Sequence, residues 1–173
     1  MESVLDKLKG GDRRSIGRVD EVVVDVSRDP TLFNAVFRGM LDDDPIIRMR
    51  AADAVEKITV DCPEYLQPHK NELIGQVAGI DQQEVRWHVA QMLPRLEWSQ
   101  EERAVVVEIL LDYVNDKSKI VKTFAMQALA DLAEGDVSLR LRVVELLEEL
   151  VQVGSPAMKS RGRKLLTRLQ EIE

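Results

Sequence analysis

The chain has 173 residues and a formal net charge of −7, with 45% apolar, 32% charged and 4% aromatic residues. These proportions describe a soluble globular protein with an aliphatic core and argue against generic polyanion binding. One cysteine, Cys62, excludes an intramolecular disulfide and fits a reducing compartment. With no apolar leader-like stretch at the start and no run approaching the ~18 apolar residues of a membrane span, a cytoplasmic location and no membrane partner are expected.

Residues 1 to 9 read as a short helix ended by Gly10-Gly11. Asp12 reads as the cap of a second helix, Arg13 to about Ser27, carrying Ile16, Val19, Val22, Val23 and Val26 at helical spacing. Asp29-Pro30 opens a third, with Leu32, Phe33, Val36, Phe37, Met40 and Leu41 inward. Asp42-Asp43-Asp44-Pro45 closes it and starts a helix to Ile58, with Asp44 as cap and Pro45 as first residue. After the connection Val60-Asp61-Cys62-Pro63, Pro68 limits where the helix through Leu73, Ile74 and Val77 begins, and Gly79 and Asp81 mark its end. The helix from about Gln82 to Glu97 holds Pro94 near its last turn, where a kink or early fraying is expected. Ser99-Gln100-Glu101-Glu102 is a capping box preceding Val105, Val106, Ile109, Leu110, Tyr113 and Val114. Another helix follows Asp116. Gly135-Asp136 separates it from one carrying Leu139, Leu141, Val143, Val144, Leu146, Leu147, Leu150 and Val151, and Gly154-Ser155-Pro156 opens the last.

One pattern recurs through this series. Aligning Ile47-Arg48 with Val85-Arg86, Val121-Lys122 and Met158-Lys159 gives offsets of 38, 36 and 37 residues. Ile47, Ala51, Ala54, Val55 and Ile58 correspond to Val85, Val89, Met92, Leu93 and Leu96, then to Val121, Ala125, Ala128, Leu129 and Leu132, then to Met158, Gly162, Leu165, Leu166 and Leu169. Each set is the stripe of a helix with one buried face. No hairpin of this kind buries its faces alone, so the expected fold is all-α, a right-handed α-solenoid (α-α superhelix) of about four helical hairpins behind an extra N-terminal helical layer. We expect a single domain over residues 1–173, with a cap at 1–28 and repeats at about 29–60, 61–97, 98–134 and 135–173.

At Asp44-Pro45, Ile47-Arg48, Ala51-Ala52 and Ala54-Val55 the pattern resembles the HEAT repeat family, of the bacterial HEAT-like sort, over roughly residues 30 to 173. The resemblance implies a fold rather than one activity, because the family includes scaffolds, adaptors, bilin lyases and alkylpurine DNA glycosylases. It also implies that the basic column Arg48, Arg86, Lys122 and Lys159 pairs with acidic neighbours, for which Asp42, Asp43, Asp81 and Asp116 are placed, and that the second helices line the concave surface. The chain departs from the pattern at Gln82-Gln83, where other repeats cap with Asp or Ser-Pro, and at Gly162-Arg163, where alanines are usual. The second departure suggests a terminal cap.

Positions one, two, five and nine after the basic column fall opposite the buried stripe. They are Met49, Arg50, Asp53 and Lys57; Trp87, His88, Gln91 and Arg95; Thr123, Phe124, Gln127 and Asp131; and Ser160, Arg161, Lys164 and Arg168. Six are basic and two acidic in a chain that is acidic overall, and Trp87, Phe124 and Met49 supply large apolar groups. Aromatics with arginine are the composition of interface anchors. The expected function is therefore a non-catalytic protein-protein interaction or scaffold module that binds an acidic or amphipathic partner segment through Met49, Arg50, Trp87, His88, Gln91, Arg95, Phe124, Gln127, Arg161, Lys164 and Arg168. The opposing structural reading has Trp87 tucked under Pro94 or the adjacent helix, and Phe124 packed between repeats.

Two alternatives follow from the resemblance. A nucleic-acid-binding protein of the DNA glycosylase kind would use this face and the basic run Lys159 to Lys164, with Asp53 or Asp131 as its carboxylate. A bilin lyase-like enzyme would show no short motif. No catalytic residue, cofactor or metal ligand is assigned. His69 and His88 lie in different repeats, Cys62 has no evident activating histidine, and no phosphate loop or serine elbow occurs.

Overall fold

Helix starts are fixed by short polar side chains that accept the free N–H groups of a first turn. In the computed structural model, which describes residues 3–172, Asp44 accepts from Ile46 N at 2.8 Å, Asp136 from Leu139 N at 2.9 Å, and Ser155 from Met158 N at 3.4 Å. Ser99 and Glu102 form the expected reciprocal box at 3.1 and 2.9 Å. The elements these caps delimit are all helical, and no strand occurs among the described residues.

A 3-10 turn, Val4–Leu8, precedes α1 (Val19–Arg28), and a second, Pro30–Leu32, leads into α2 (Phe33–Gly39) and then α3 (Pro45–Asp61). The next connection is a composite: a 3-10 turn at Pro63–His69, the short α4 (Lys70–Glu72) and a π turn at Leu73–Val77. Pro68 offers no N–H and restrains the residue before it, which keeps this stretch from winding as one α-helix. Pro94 acts likewise, so α5 (Gln83–Met92) ends in a 3-10 turn, Leu93–Arg95. The chain continues as α6 (Gln100–Val114), α7 (Lys119–Ala133), α8 (Val137–Val153) and α9 (Pro156–Gln170).

Two compact units result, Met1–Leu96 and Glu97–Glu173. In the first, α3 is central: α1, α2, α5 and the Val4–Leu8 turn all pack on it. In the second, α6 packs on α7, α8 on α9, and α7 on both α8 and α9. The repeated apolar columns of α3, α5 with its 3-10 end, and α7 are buried throughout, while in α9 Leu166 alone of its column is half-buried. Gly162 marks close helix packing: a β-carbon there would lie 2.7 Å from Val151 Cγ2. Ser160, Arg163, Lys164 and Thr167 give α9 an exposed polar side.

Three expectations need correction. The second helix begins at Val19, not Arg13. Residues 12–18 form a loop in which Asp12 accepts from Arg14 N at 2.8 Å and Ser15 Oγ from Gly17 N at 3.0 Å. In the basic column Arg86 keeps the expected acidic pair with Asp81, but Arg48 bonds to carbonyl groups rather than to the expected carboxylates. Arg48 donates to Asp42 O at 2.8 Å, Asp43 O at 3.0 Å and Gln82 Oε1 at 2.9 Å, while Arg86 donates to Ile80 O at 3.0 Å and faces Asp81 at 3.6 Å. Gln82 therefore bridges two hairpins instead of capping its own, and it donates to Pro45 O at 2.8 Å. Finally, Val105 and Leu141, counted as inward, are exposed.

The loop turns on Gly17, whose φ is +60° and whose missing β-carbon would lie 2.9 Å from Arg50 Cζ. Gly17→Ala is expected to cost more than the roughly 1–2 kcal/mol of left-handed backbone alone. Gly10→Ala, at φ +72° with open space around it, should cost only that backbone contribution. Urea unfolding of both variants checks this, and equal losses would contradict the close contact.

Candidate functional site

α3 and α5 lie side by side in the first unit, and the 12–18 loop folds over their shared edge. Between loop and helices is a recess of ≈ 250 Å³ lined by Arg13, Arg14, Ser15, Ile16, Met49, Arg50, Asp53, Glu84, Trp87 and His88. Arg50 holds the loop in place. Its guanidinium donates to Leu8 O (2.8 Å), Lys9 O (3.3 Å), Gly10 O (2.6 Å), Asp12 O (3.2 Å) and Ser15 O (3.1 Å). A planar five-donor fork suits such a ring of acceptors. Arg13 and Arg14 stay exposed on the loop, and Ile16 beside them is 47% exposed.

The helical wall is a hydrogen-bonded set. His88 Nδ1 lies 2.6 Å from Glu84 O, and because a carbonyl only accepts, Nδ1 carries the proton. Nε2 then accepts the Trp87 indole N–H at 3.3 Å, and Asp53 Oδ1 sits 3.5 Å from the same nitrogen. Lys57 reaches Asp53 Oδ2 at 3.2 Å and Asp20 at 3.0 Å. Burial pulls the Asp53 carboxyl upward, but the hydrogen bond that His88 gives when both its ring nitrogens are protonated, together with the Lys57 charge, outweighs it, and the group titrates below its ordinary value. Trp87 is half-buried, with its polar edge already satisfied.

The anticipated contact residues divide on inspection. Met49, Trp87 and His88 do meet at this recess, but Met49 and Arg50 are buried, contrary to expectation; Arg50 is 2% exposed. Repeat periodicity leaves that side of α3 to solvent, and the N-terminal turn and α1 cover it. Arg95, expected at the interface, is a staple instead: it donates to Glu56 O at 2.7 Å and Thr59 Oγ1 at 2.8 Å, and pairs with the Glu56 carboxylate. Gln91 is half-buried and donates to Trp87 O at 3.2 Å.

In the second unit the corresponding face is largely satisfied from within. Arg161 donates to Gln127 Oε1 at 2.6 Å, Gln127 donates to Asp131 at 2.8 Å, and Arg168 pairs with Asp131 at 2.8 Å and Glu134 at 3.1 Å. Phe124 is half-buried and Lys164 exposed. The residues that sequence reasoning missed are Arg13, Arg14 and Ile16. Gly17, a poor helix residue, together with Gly10-Gly11 was the available signal that this arginine pair belongs to a loop.

Among the described residues no group of three or more His, Cys, Asp or Glu is placed to hold a metal ion, and no helix is long and apolar enough to cross a membrane. His69 is buried and stacks on Phe37 at 4.1 Å, away from the recess lining.

The family model described as a HEAT repeat domain matches residues 6–169. A crystal structure of an engineered protein, a Northeast Structural Genomics Consortium target, is similar to this chain with a TM-score of 0.66 and 16% identity, covering 96% of this chain and 78% of that one. At that identity the likeness speaks to fold alone, and the fold it supports is the helical-repeat solenoid class. No curated protein matches.

The Asp53 network carries a pH signature. Because the folded carboxyl titrates below its ordinary value of 3.8, its stabilisation is full above that value and is lost as pH falls through the folded one. Asp53→Asn is therefore expected to lower the urea midpoint at about pH 7 and to lower it less at about pH 2. A penalty that is equal at both pH values would contradict the assigned network.

Proposed function

Because the chain belongs to the HEAT repeat family, whose helical repeats commonly mediate protein interactions, we propose that it is a non-catalytic protein-interaction module that receives a partner segment at the recess beside Trp87. The observation that carries this reading is the pairing of a half-buried tryptophan with an exposed Arg13-Arg14 wall across a recess of ≈ 250 Å³. The indole N–H is already bonded, so the ring offers apolar area without needing a polar partner. Trp87 would anchor an apolar side chain, Arg13 and Arg14 would meet carboxylates flanking it, and Ile16 would widen the apolar contact. An acidic or amphipathic segment of a partner protein has that chemistry. Arg50 would act as a positioning residue, since its donors are directed at loop carbonyls.

We treat residues 1–173 as one such module capped by residues 1–28, in a cytoplasmic setting that the lone, half-buried Cys62 thiol suits. The protein reading is favoured over nucleic acid because Arg161, in the basic run, and Arg168, a turn beyond it, already engage Gln127, Asp131 and Glu134.

Affinity capture at moderate and high salt, with a nucleic-acid stain alongside mass spectrometry, tests this. A specific protein partner should persist at high salt, and Trp87→Ala should weaken it by about 2 kcal/mol or more, roughly 30-fold, with helicity unchanged. Salt-sensitive nucleic acid without a specific protein would overturn the reading.

A further inference from the structure

The second unit holds an open groove far from the feature just described in sequence and different in chemistry. Two recesses, ≈ 240 and ≈ 300 Å³, share Val107, Leu139 and Arg142 and so form one continuous trough between α6 and α8. Its walls are helical stripes. Ala104, Val107 and Leu111 recur at helical spacing on α6; Leu139, Val143 and Leu146 do so on α8, and Leu129 of α7 contributes to the lining between them.

The rim is acidic. Glu108, Glu145 and Glu149 border the trough and are exposed, against one exposed arginine, Arg142. The other arginine, Arg103, is occupied: it faces Asp136 at 3.3 Å and donates to Leu132 O. An apolar floor between glutamates selects a ligand that is apolar along its centre and positive along its edges.

Backbone chemistry selects its conformation. The walls are α-helices whose mid-helix N–H and C=O groups are paired internally, so they cannot supply a ladder to an extended segment. A helix arrives with its own backbone bonds made. The stripe from Ala104 to Leu111 covers eight residues, a rise of about 10 Å, which presents about two turns for side chains to interdigitate.

We propose that the α6–α8 groove is a second docking site, which takes an amphipathic helix of a partner protein with an apolar stripe flanked by lysine or arginine. Apolar side chains spaced i, i+3, i+4, i+7 would enter between Val107, Leu111 and Leu146, while flanking cations would meet Glu108, Glu145 and Glu149.

The test uses the full chain and three labelled synthetic peptides of about four turns, long enough to populate a helix. One has leucines at i, i+3, i+4 and i+7 with flanking lysines, one replaces the lysines with glutamates, and one scrambles the first. Fluorescence anisotropy should show binding of the lysine-flanked helix over both others. Glu145→Lys with Glu149→Lys, two exposed positions whose change leaves the core intact, should weaken it roughly tenfold and reverse the charge preference. Hydrogen exchange should place the protection on residues 100–111 and 139–149. Equal binding of the scrambled peptide would reduce the effect to attraction by a −7 chain and overturn the proposal. So would an unchanged preference in the double variant, or protection confined to the first unit.

Discussion

A single buried guanidinium determines how the first unit presents its surface. Arg50 projects from α3 into a ring of carbonyls contributed by Leu8, Lys9, Gly10, Asp12 and Ser15, where charge-assisted bonds replace the hydration the ion gives up. All but Leu8, which ends the Val4–Leu8 turn, belong to a segment that forms no regular element, so its backbone needs partners from elsewhere. Gly10, Gly11 and Gly17, all at positive φ, let the chain bend closely around the side chain. An α-helical residue thereby shapes a loop some 40 positions earlier, and the loop in turn forms one wall of the Trp87 recess.

The same economy of partners governs the rest of the second-helix face. In a family where stacked repeats share one core, polar side chains at the joints satisfy whatever backbone and charge the stacking exposes. Arg48, Gln82 and Arg95 do so in the first unit, and Arg161 and Arg168 in the second. A basic side chain whose donors are already directed at carbonyls or carboxylates has little left for a ligand, because leaving its partner would uncover a buried acceptor. The surface remaining for recognition is smaller and differently placed: Arg13, Arg14, Ile16 and Trp87 in one unit, and the groove between α6 and α8 in the other.

The helices themselves were legible because their information is local. Columns such as Ile47, Ala51, Ala54 and Val55 declare a 3.6-residue period, and cap residues such as Asp44, Ser99 and Ser155 declare where it starts. The candidate site was less so. Met49 and Arg50 look solvent-facing from the period of α3, and only the N-terminal layer, remote in sequence, covers them. The loop at residues 12–18 was hidden by the valine run of α1, whose helical spacing extends back through Ile16 even though Gly17 and Arg18 do not continue the helix. The role of Arg48 was invisible in detail because carbonyl acceptors carry no residue identity. Trp87 could be marked as unusual, yet its neighbour His88, which satisfies the indole, is decided by a rotamer rather than a spacing.

The dependence of the recess on Arg50 is the claim most open to direct measurement, through amide hydrogen exchange of the intact chain and of Arg50→Lys. The substitution keeps the charge and removes the planar fork. Loss of these bonds should speed exchange across residues 9–18 by roughly 10- to 100-fold, while the amides of α3 and α5 keep their protection. Unchanged exchange across that loop would mean that something other than Arg50 holds the wall in place, and the account of how this surface is built would fail.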